Sequence, residues 1–174
     1  MSYKVNGIAI LPGCNFTAQG KAISYYKHEN VLFWQKEQTI LTGGSGSITG
    51  AFQPYETREH RCCTVDIPDG NFTKVKATFK ADLDITATGI HGYHGYMYLQ
   101  AYVENQWVTV ETIFDHSINI VDTNEIHYNI KDSVYDLPSG ATKLSFLLKA
   151  HRANSNEAAQ GSVTLSNVTL VVTG

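Results

Sequence analysis

Eight residues between His91 and Trp107 carry the groups best suited to gripping a ligand: His91, His94, Tyr96, Tyr98, Gln100, Tyr102, Asn105 and Trp107. Tyr and Trp join an apolar ring to a polar handle. Exposed rings of this kind stack on the apolar faces of sugars, while amides and hydroxyls beside them bond the sugar hydroxyls. Tyr96, Tyr98, Gln100 and Tyr102 fall at every second position, which in an extended strand places them on one face. Trp107 joins them across the polar break Glu104-Asn105-Gln106. The same face suits two other roles. It can pack beneath a loop or a second sheet, or it can be a subunit interface, where Tyr and Trp are enriched.

Other chemistries have weaker footing. His91 and His94 lie in Gly89-Ile90-His91-Gly92-Tyr93-His94-Gly95 and could reach one metal ion, with Asp115 or His116 as a further ligand. A closed site takes four ligands, and no His-x-x-x-His or Cys-x-x-Cys spacing supplies them. The reading is a solvated Gly-rich loop and no metal. Nucleophilic catalysis has no Gly-x-Ser-x-Gly signature. Glycoside hydrolysis needs two carboxylates facing each other, whereas the strand-borne acids Asp82, Asp84, Glu104 and Glu111 are expected to sit singly at outward positions. No Gly-rich phosphate loop opens a helix, and no calcium loop of alternating acids is present. A non-enzymatic protein without a cofactor is expected.

The elements that must position these residues are strands. Met97, Leu99, Ala101 and Val103 alternate with the tyrosines, the period of a strand with one face on a core. Beyond the break, Val108, Val110, Thr112 and Phe114 oppose Trp107, Thr109, Glu111 and Ile113, so Tyr93 to Phe114 reads as a hairpin. Val75, Ala77 and Phe79 alternate with Lys74, Lys76, Thr78 and Lys80. Arg61 to Ile67, Ser117 to Val121, Glu125 to Ile130, Lys143 to Ala150 and Ser162 to Val172 complete the series, with turns at Pro68-Asp69-Gly70, Asp122-Thr123-Asn124 and Asp136 to Gly140. Only Asn154 to Gln160 could make a helical turn. Short strands with turn signals at this spacing predict an all-β fold, a jelly-roll-like β-sandwich. Thr42-Gly43-Gly44-Ser45-Gly46-Ser47 has linker composition. It divides a short N-terminal β element, residues 1–41, from a sandwich domain over 48–174, with 42–47 as linker or loop.

Composition narrows the partners. The chain has 174 residues, 43% hydrophobic and 17% charged, with a formal net charge of −3. That balance is ordinary for a globular domain and gives no basic field for nucleic acid. No run is long and apolar enough for a membrane span, and no basic-then-apolar leader opens the chain. Cys14, Cys62 and Cys63 form no disulfide framework, so free thiols and folding in a reducing compartment are expected.

Gly95 to Thr109, with its Tyr-Met-Tyr-Leu-Gln-Ala-Tyr-Val strand and Trp-Val-Thr-Val return, resembles carbohydrate-binding-module-like sandwiches. The ending, Lys143-Leu144-Ser145-Phe146-Leu147-Leu148-Lys149 and Ser162 to Leu170, resembles the closing strands of galactose-binding-like jelly rolls. Val5-Asn6-Gly7 through Val31-Leu32-Phe33-Trp34-Gln35-Lys36 is similar to segments of bacteriophage tail and minor virion proteins. The resemblance implies a phage virion or tail-associated protein, made in the host cytoplasm and carried on the virion. Its partners would be its own subunits in a homo-oligomer, other virion proteins and cell-surface glycan bound during host attachment. The alternatives are a purely structural capsid or tail assembly protein whose tyrosine face lies between subunits, and a carbohydrate-active enzyme's accessory domain.

Overall fold

The computed structural model describes residues 37–87, 93–118, 123–152 and 159–174, together with the strand backbone of short segments before residue 36. Those segments pair as hairpins: β1 (Tyr3–Val5) with β2 (Ile8–Ile10), β3 (Thr17–Ala18) with β4 (Lys21–Ala22), and β5 (Tyr25–His28) with β6 (Val31–Gln35). Eight longer strands follow: β7 (Gln38–Phe52), β8 (Thr57–Asp66), β9 (Lys74–Ala87), β10 (Tyr93–Val103), β11 (Gln106–Ile118), β12 (Thr123–Asp136), β13 (Lys143–Arg152) and β14 (Ala159–Thr173). They form two antiparallel sheets, β11-β10-β13-β8 and β12-β9-β14-β7. Among these eight, only β10 and β11 are both consecutive and adjacent; the other six connections pass from one sheet to the other. This is the strand order of an eight-stranded jelly roll, two Greek keys folded face to face. The all-β sandwich expected from the sequence is the fold the chain adopts.

Alternation builds the core. On β9 every second residue from Val75 through Leu83 is buried, and on β10 so are Met97, Leu99 and Ala101. Leu144, Phe146, Leu148 and Ala150 on β13 and Val163, Leu165, Val168, Leu170 and Val172 on β14 meet them. Phe79 and Phe146 touch edge to face across the two sheets, ring centroids 5.2 Å apart, a geometry that favours aromatic pairs beyond the area they bury.

Residues 42–47 are not a loop. They run through the interior of β7, where Gly46 pairs with Leu165 and Gly44 with Val168, and β7 already begins at Gln38. The glycines serve contact between the sheets rather than flexibility. A Cβ on Gly46 would stand 2.3 Å from Cys62 Sγ, and one on Gly44 would stand 2.8 Å from Cys63 Sγ. Only residues without side chains let the β7 edge close onto β8. Cys62 and Cys63 are both free thiols, and Cys63 Sγ lies 3.6 Å from Ser45 O. The opposite edges, β11 and β12, close through rings: Phe114 stacks on Tyr128 at 5.5 Å, and His116 Nε2 meets Tyr128 OH at 2.5 Å.

Bulges bend the strands between these seams. An extra residue enters β12 opposite Thr78, β14 opposite Phe79 and β8 opposite Ser145. Asp132, Asn167 and Cys63 at these points have positive φ, a conformation open to Asp and Asn and strained for Cys. Each bulge adds bend and twist to its strand. The hairpin expected at Tyr93 to Phe114 forms with a two-residue turn, Glu104-Asn105, both at positive φ; Gln106 already pairs with Val103. That is the twist-matched turn of tight hairpins. Plain alternation fails on β11, where register shifts bring Ile113 to the core beside Phe114. The possible helical turn at Asn154 to Gln160 lies largely outside the described residues; Ala159 and Gln160 are strand.

The seam between β7 and β8 makes Gly46 intolerant of a side chain. Gly46→Val is expected to cost about 1–3 kcal/mol by overpacking, read as a lower urea midpoint with unchanged m. A linker glycine at this position would tolerate the change without loss.

Candidate functional site

The outer face of the β11-β10-β13-β8 sheet gathers six of the eight residues singled out by sequence. Its rows are set by register. Across β13, β10 and β11 they read His151, His94 and Ser117; Lys149, Tyr96 and Asp115; Leu147, Tyr98 and Thr112; Ser145, Gln100 and Thr109; Lys143, Tyr102 and Trp107. Asn105 lies apart at the exposed hairpin tip. His91 lies outside the described residues.

The rings face one another along the strand. His94 and Tyr96 stack with centroids 6.0 Å apart and planes 10° apart, and Tyr96 and Tyr98 with 6.2 Å and 17°. All three are partly buried, and desolvation pushes the Tyr98 phenol upward in pKa. A sugar slotted between two rings needs about 7–8 Å, two carbon–carbon contacts of about 3.5–4.0 Å each. The spacing is too tight for a sugar between His94 and Tyr96 or between Tyr96 and Tyr98.

A second cluster centres on Arg61 of β8, which reaches across β13. Its guanidinium lies 4.0 Å over the Trp107 ring, and Nη2 donates to Gln100 Oε1 at 2.8 Å. Gln100 Nε2 in turn lies 3.4 Å from Thr109 Oγ1. Tyr102 packs against Trp107 at 5.1 Å. Desolvation lowers the Arg61 pKa, the expected direction for a cation drawn from water. Beneath this cluster the buried Ser145 hydroxyl donates to Cys62 O at 3.0 Å and meets Thr64 Oγ1 at 2.8 Å. Ion pairs flank the rings on the β13–β8 side: Lys149 with Glu59 at 2.9 Å and Lys143 with Asp66 at 3.3 Å.

Sequence reasoning missed Arg61, Leu147, Lys149 and Glu59. The alternation on β13 marks Leu147 and Lys149 as outward residues, but nothing local pairs β13 with β10 and β8. Of the metal grouping suggested by spacing, His91 lies outside the described residues; His116 lies opposite Gly95 on the core side of β11, whereas His94 and Asp115 are on the outer side. The strand-borne acids also differ from expectation. Asp82 and Asp84 are not solitary, because β12 brings His127 opposite Asp82 and Glu125 opposite Asp84. Glu111 lies opposite core-facing Leu99.

No protein-family profile matches the chain, and no curated protein does. Solved structures with some likeness come from infectious bursal disease virus. The Gx strain structure has 13% identity and a TM-score of 0.38, covering 99% of this chain and 43% of that one. The virus-derived T=1 particles have 15% and 0.37, covering 94% and 41%. The VP2 subviral particle has 12% and 0.34, covering 94% and 42%. The chain spans less than half the length of the chains it matches, and its fold assignment stands on its own strand order.

Arg61 holds Trp107 and Gln100 in place. Arg61→Ala is expected to cost about 2 kcal/mol, from a cation–π contact and a charge-assisted hydrogen bond. It should also shift the Trp107 emission to the red. Unchanged stability and emission would mean the guanidinium contributes nothing to this face.

Proposed function

We propose that this chain is a non-enzymatic structural subunit of a virion, and that it assembles with copies of itself through the aromatic outer face of the β11-β10-β13-β8 sheet. The observation that carries this reading is the gathering of rings on one outer face. Tyr96 is flanked by His94 and Tyr98, and Trp107 is capped by Arg61. Leu147 lies beside Tyr98, and the pairs Lys149–Glu59 and Lys143–Asp66 flank the rings on the β13–β8 side. Clustered Tyr and Trp with an Arg among them are the residue types enriched at subunit interfaces.

The virion part of the proposal has two supports. One is the jelly-roll strand order, an architecture that serves viral capsid and lectin domains alike; it is a fold-level analogy and fixes no function by itself. The other is the likeness of the opening third to phage tail and minor virion proteins. On this reading the hairpins β1 to β6 dock the subunit to neighbouring virion proteins. The second reading, attachment to host-surface glycan, draws on the phenol groups of Tyr96, Tyr98 and Tyr102; Gln100 is buried, with its amide engaged by Arg61 and Thr109.

Sedimentation velocity and electron microscopy of the purified chain test the proposal. Wild type is expected to form closed oligomers at micromolar concentration, and Leu147→Asp to be a folded monomer. A wild type that stays monomeric at about 100 μM, a concentration at which an interface worth roughly 8 kcal/mol would be saturated, overturns the assembly reading. In a glycan array the assembly reading expects no binder. A glycan bound by wild type and lost in Tyr98→Ala would establish attachment instead.

A further inference from the structure

The outer face of the β12-β9-β14-β7 sheet is chemically unlike the aromatic one. Pairing sets two polar rows across it: Thr49, Ser162, Asp84 and Glu125, then Ser47, Thr164, Asp82 and His127. Three ligand-bearing groups converge there. A carboxylate oxygen of Asp84, one of Glu125 and a ring nitrogen of His127 all lie within 4.8 Å of one another.

The two nitrogens of His127 face different partners. Nδ1 lies 2.7 Å from Asp82 Oδ1, and Nε2 points toward Glu125 Oε2 at 3.7 Å. A carboxylate on one ring nitrogen, with the other turned to a cluster of donors, is the arrangement of metal-ligating histidines. The carboxylates are themselves held: Ser162 Oγ lies 3.2 Å from Asp84 Oδ2, and Thr164 Oγ1 lies 3.4 Å from Asp82 Oδ2.

We propose that Asp84, Glu125 and His127 bind one divalent transition-metal cation of the zinc class, with Asp82 orienting His127 from behind. The imidazole sets the class. Calcium and magnesium take all-oxygen shells, whereas mixed imidazole and carboxylate donors suit zinc, cobalt and nickel. Three protein ligands leave a coordination position for water. Metal–ligand bonds of about 2.0–2.2 Å put tetrahedral ligand atoms roughly 3.4 Å apart. The three groups therefore close by about an ångström on binding, a movement exposed side chains make by rotamer adjustment. Two ligands come from β12 and one from β9, so the ion clamps an edge strand to its neighbour and stabilises the folded sheet by mass action.

Calorimetric titration of the full chain with zinc chloride tests this, with cobalt(II) absorption as a second readout of nitrogen and oxygen coordination. Wild type is expected to bind one ion. His127→Ala should weaken binding at least tenfold, and Asp82→Asn by about 10–100-fold although Asp82 is not a ligand. His60→Ala, on a different sheet, should bind like wild type. The thermal midpoint of the metal-free variants, measured alongside, separates lost ligands from lost fold. Absence of saturable binding by wild type overturns the proposal. So does undiminished binding by folded His127→Ala.

Discussion

The sandwich depends on how closely its edges approach. Six of the seven connections in the eight-stranded core cross between sheets, so hydrogen-bond ladders hold each sheet but do not join the two. The joining falls to the core and to two seams. At β7 and β8 the seam is made by absence, because Gly46 leaves room for Cys62 where any Cβ would collide at 2.3 Å. At β11 and β12 it is made by bulk, with Phe114 and His116 on one edge against Tyr128 on the other. Cys62 gains from this burial as a small apolar group. Its thiol pKa is pushed up, first by the neighbouring Cys63 thiol and then by desolvation.

The seams explain the bulges. A flat sheet cannot bring both of its edges onto a partner sheet, and added twist and bend are what a bulge supplies. Asp132 and Asn167 flank the Thr78–Phe79 step of β9 from its two neighbouring strands. Thr78 fastens one side, accepting the Asp132 backbone N–H at 3.0 Å. On β7 the irregularity continues at Ser45, and on β8 at Cys63, whose sulfur faces the Ser45 carbonyl. Cys63 has a Cβ in a left-handed conformation, a local strain accepted where the two edges meet.

These features also mark what was legible in the sequence. The period-two alternation of β9, β10 and β13 is local information, and it gave the all-β class, the core face of Met97, Leu99 and Ala101, and the outward tyrosines. The Gly-Gly-Ser-Gly run was misread because composition reports the absence of a side chain, not its reason. A glycine that frees a linker and a glycine that admits a sulfur look alike until a partner is placed beside it. The β11 bulges were hidden for a similar reason, since an extra residue breaks alternation without altering composition. Arg61 lies 39 residues from Gln100, and His127 45 from Asp82. Both juxtapositions follow from register between strands distant in the chain, and register at that distance is decided by the whole core.

The two outer faces then differ in a way that bears on use. Antiparallel sheets often leave one face to water, and such faces carry polar residues. The β12-β9-β14-β7 sheet follows that rule, with Ser162, Thr164, Asp82 and Asp84 outward. The β11-β10-β13-β8 sheet departs from it with His94, Tyr96, Tyr98, Leu147, Tyr102 and Trp107. A lone apolar residue at a surface needs no explanation, but a contiguous aromatic field on a single sheet does. The rings stabilise one another by stacking, which explains their order along β10 but not the choice of aromatics over the Ser, Thr and Asp that serve the other sheet. Leu147 sharpens the point, since it sits between Tyr98 and the β8 strand with no polar handle at all. A face whose side chains already hold one another in place loses little entropy on being covered. That is the property on which the proposed assembly draws.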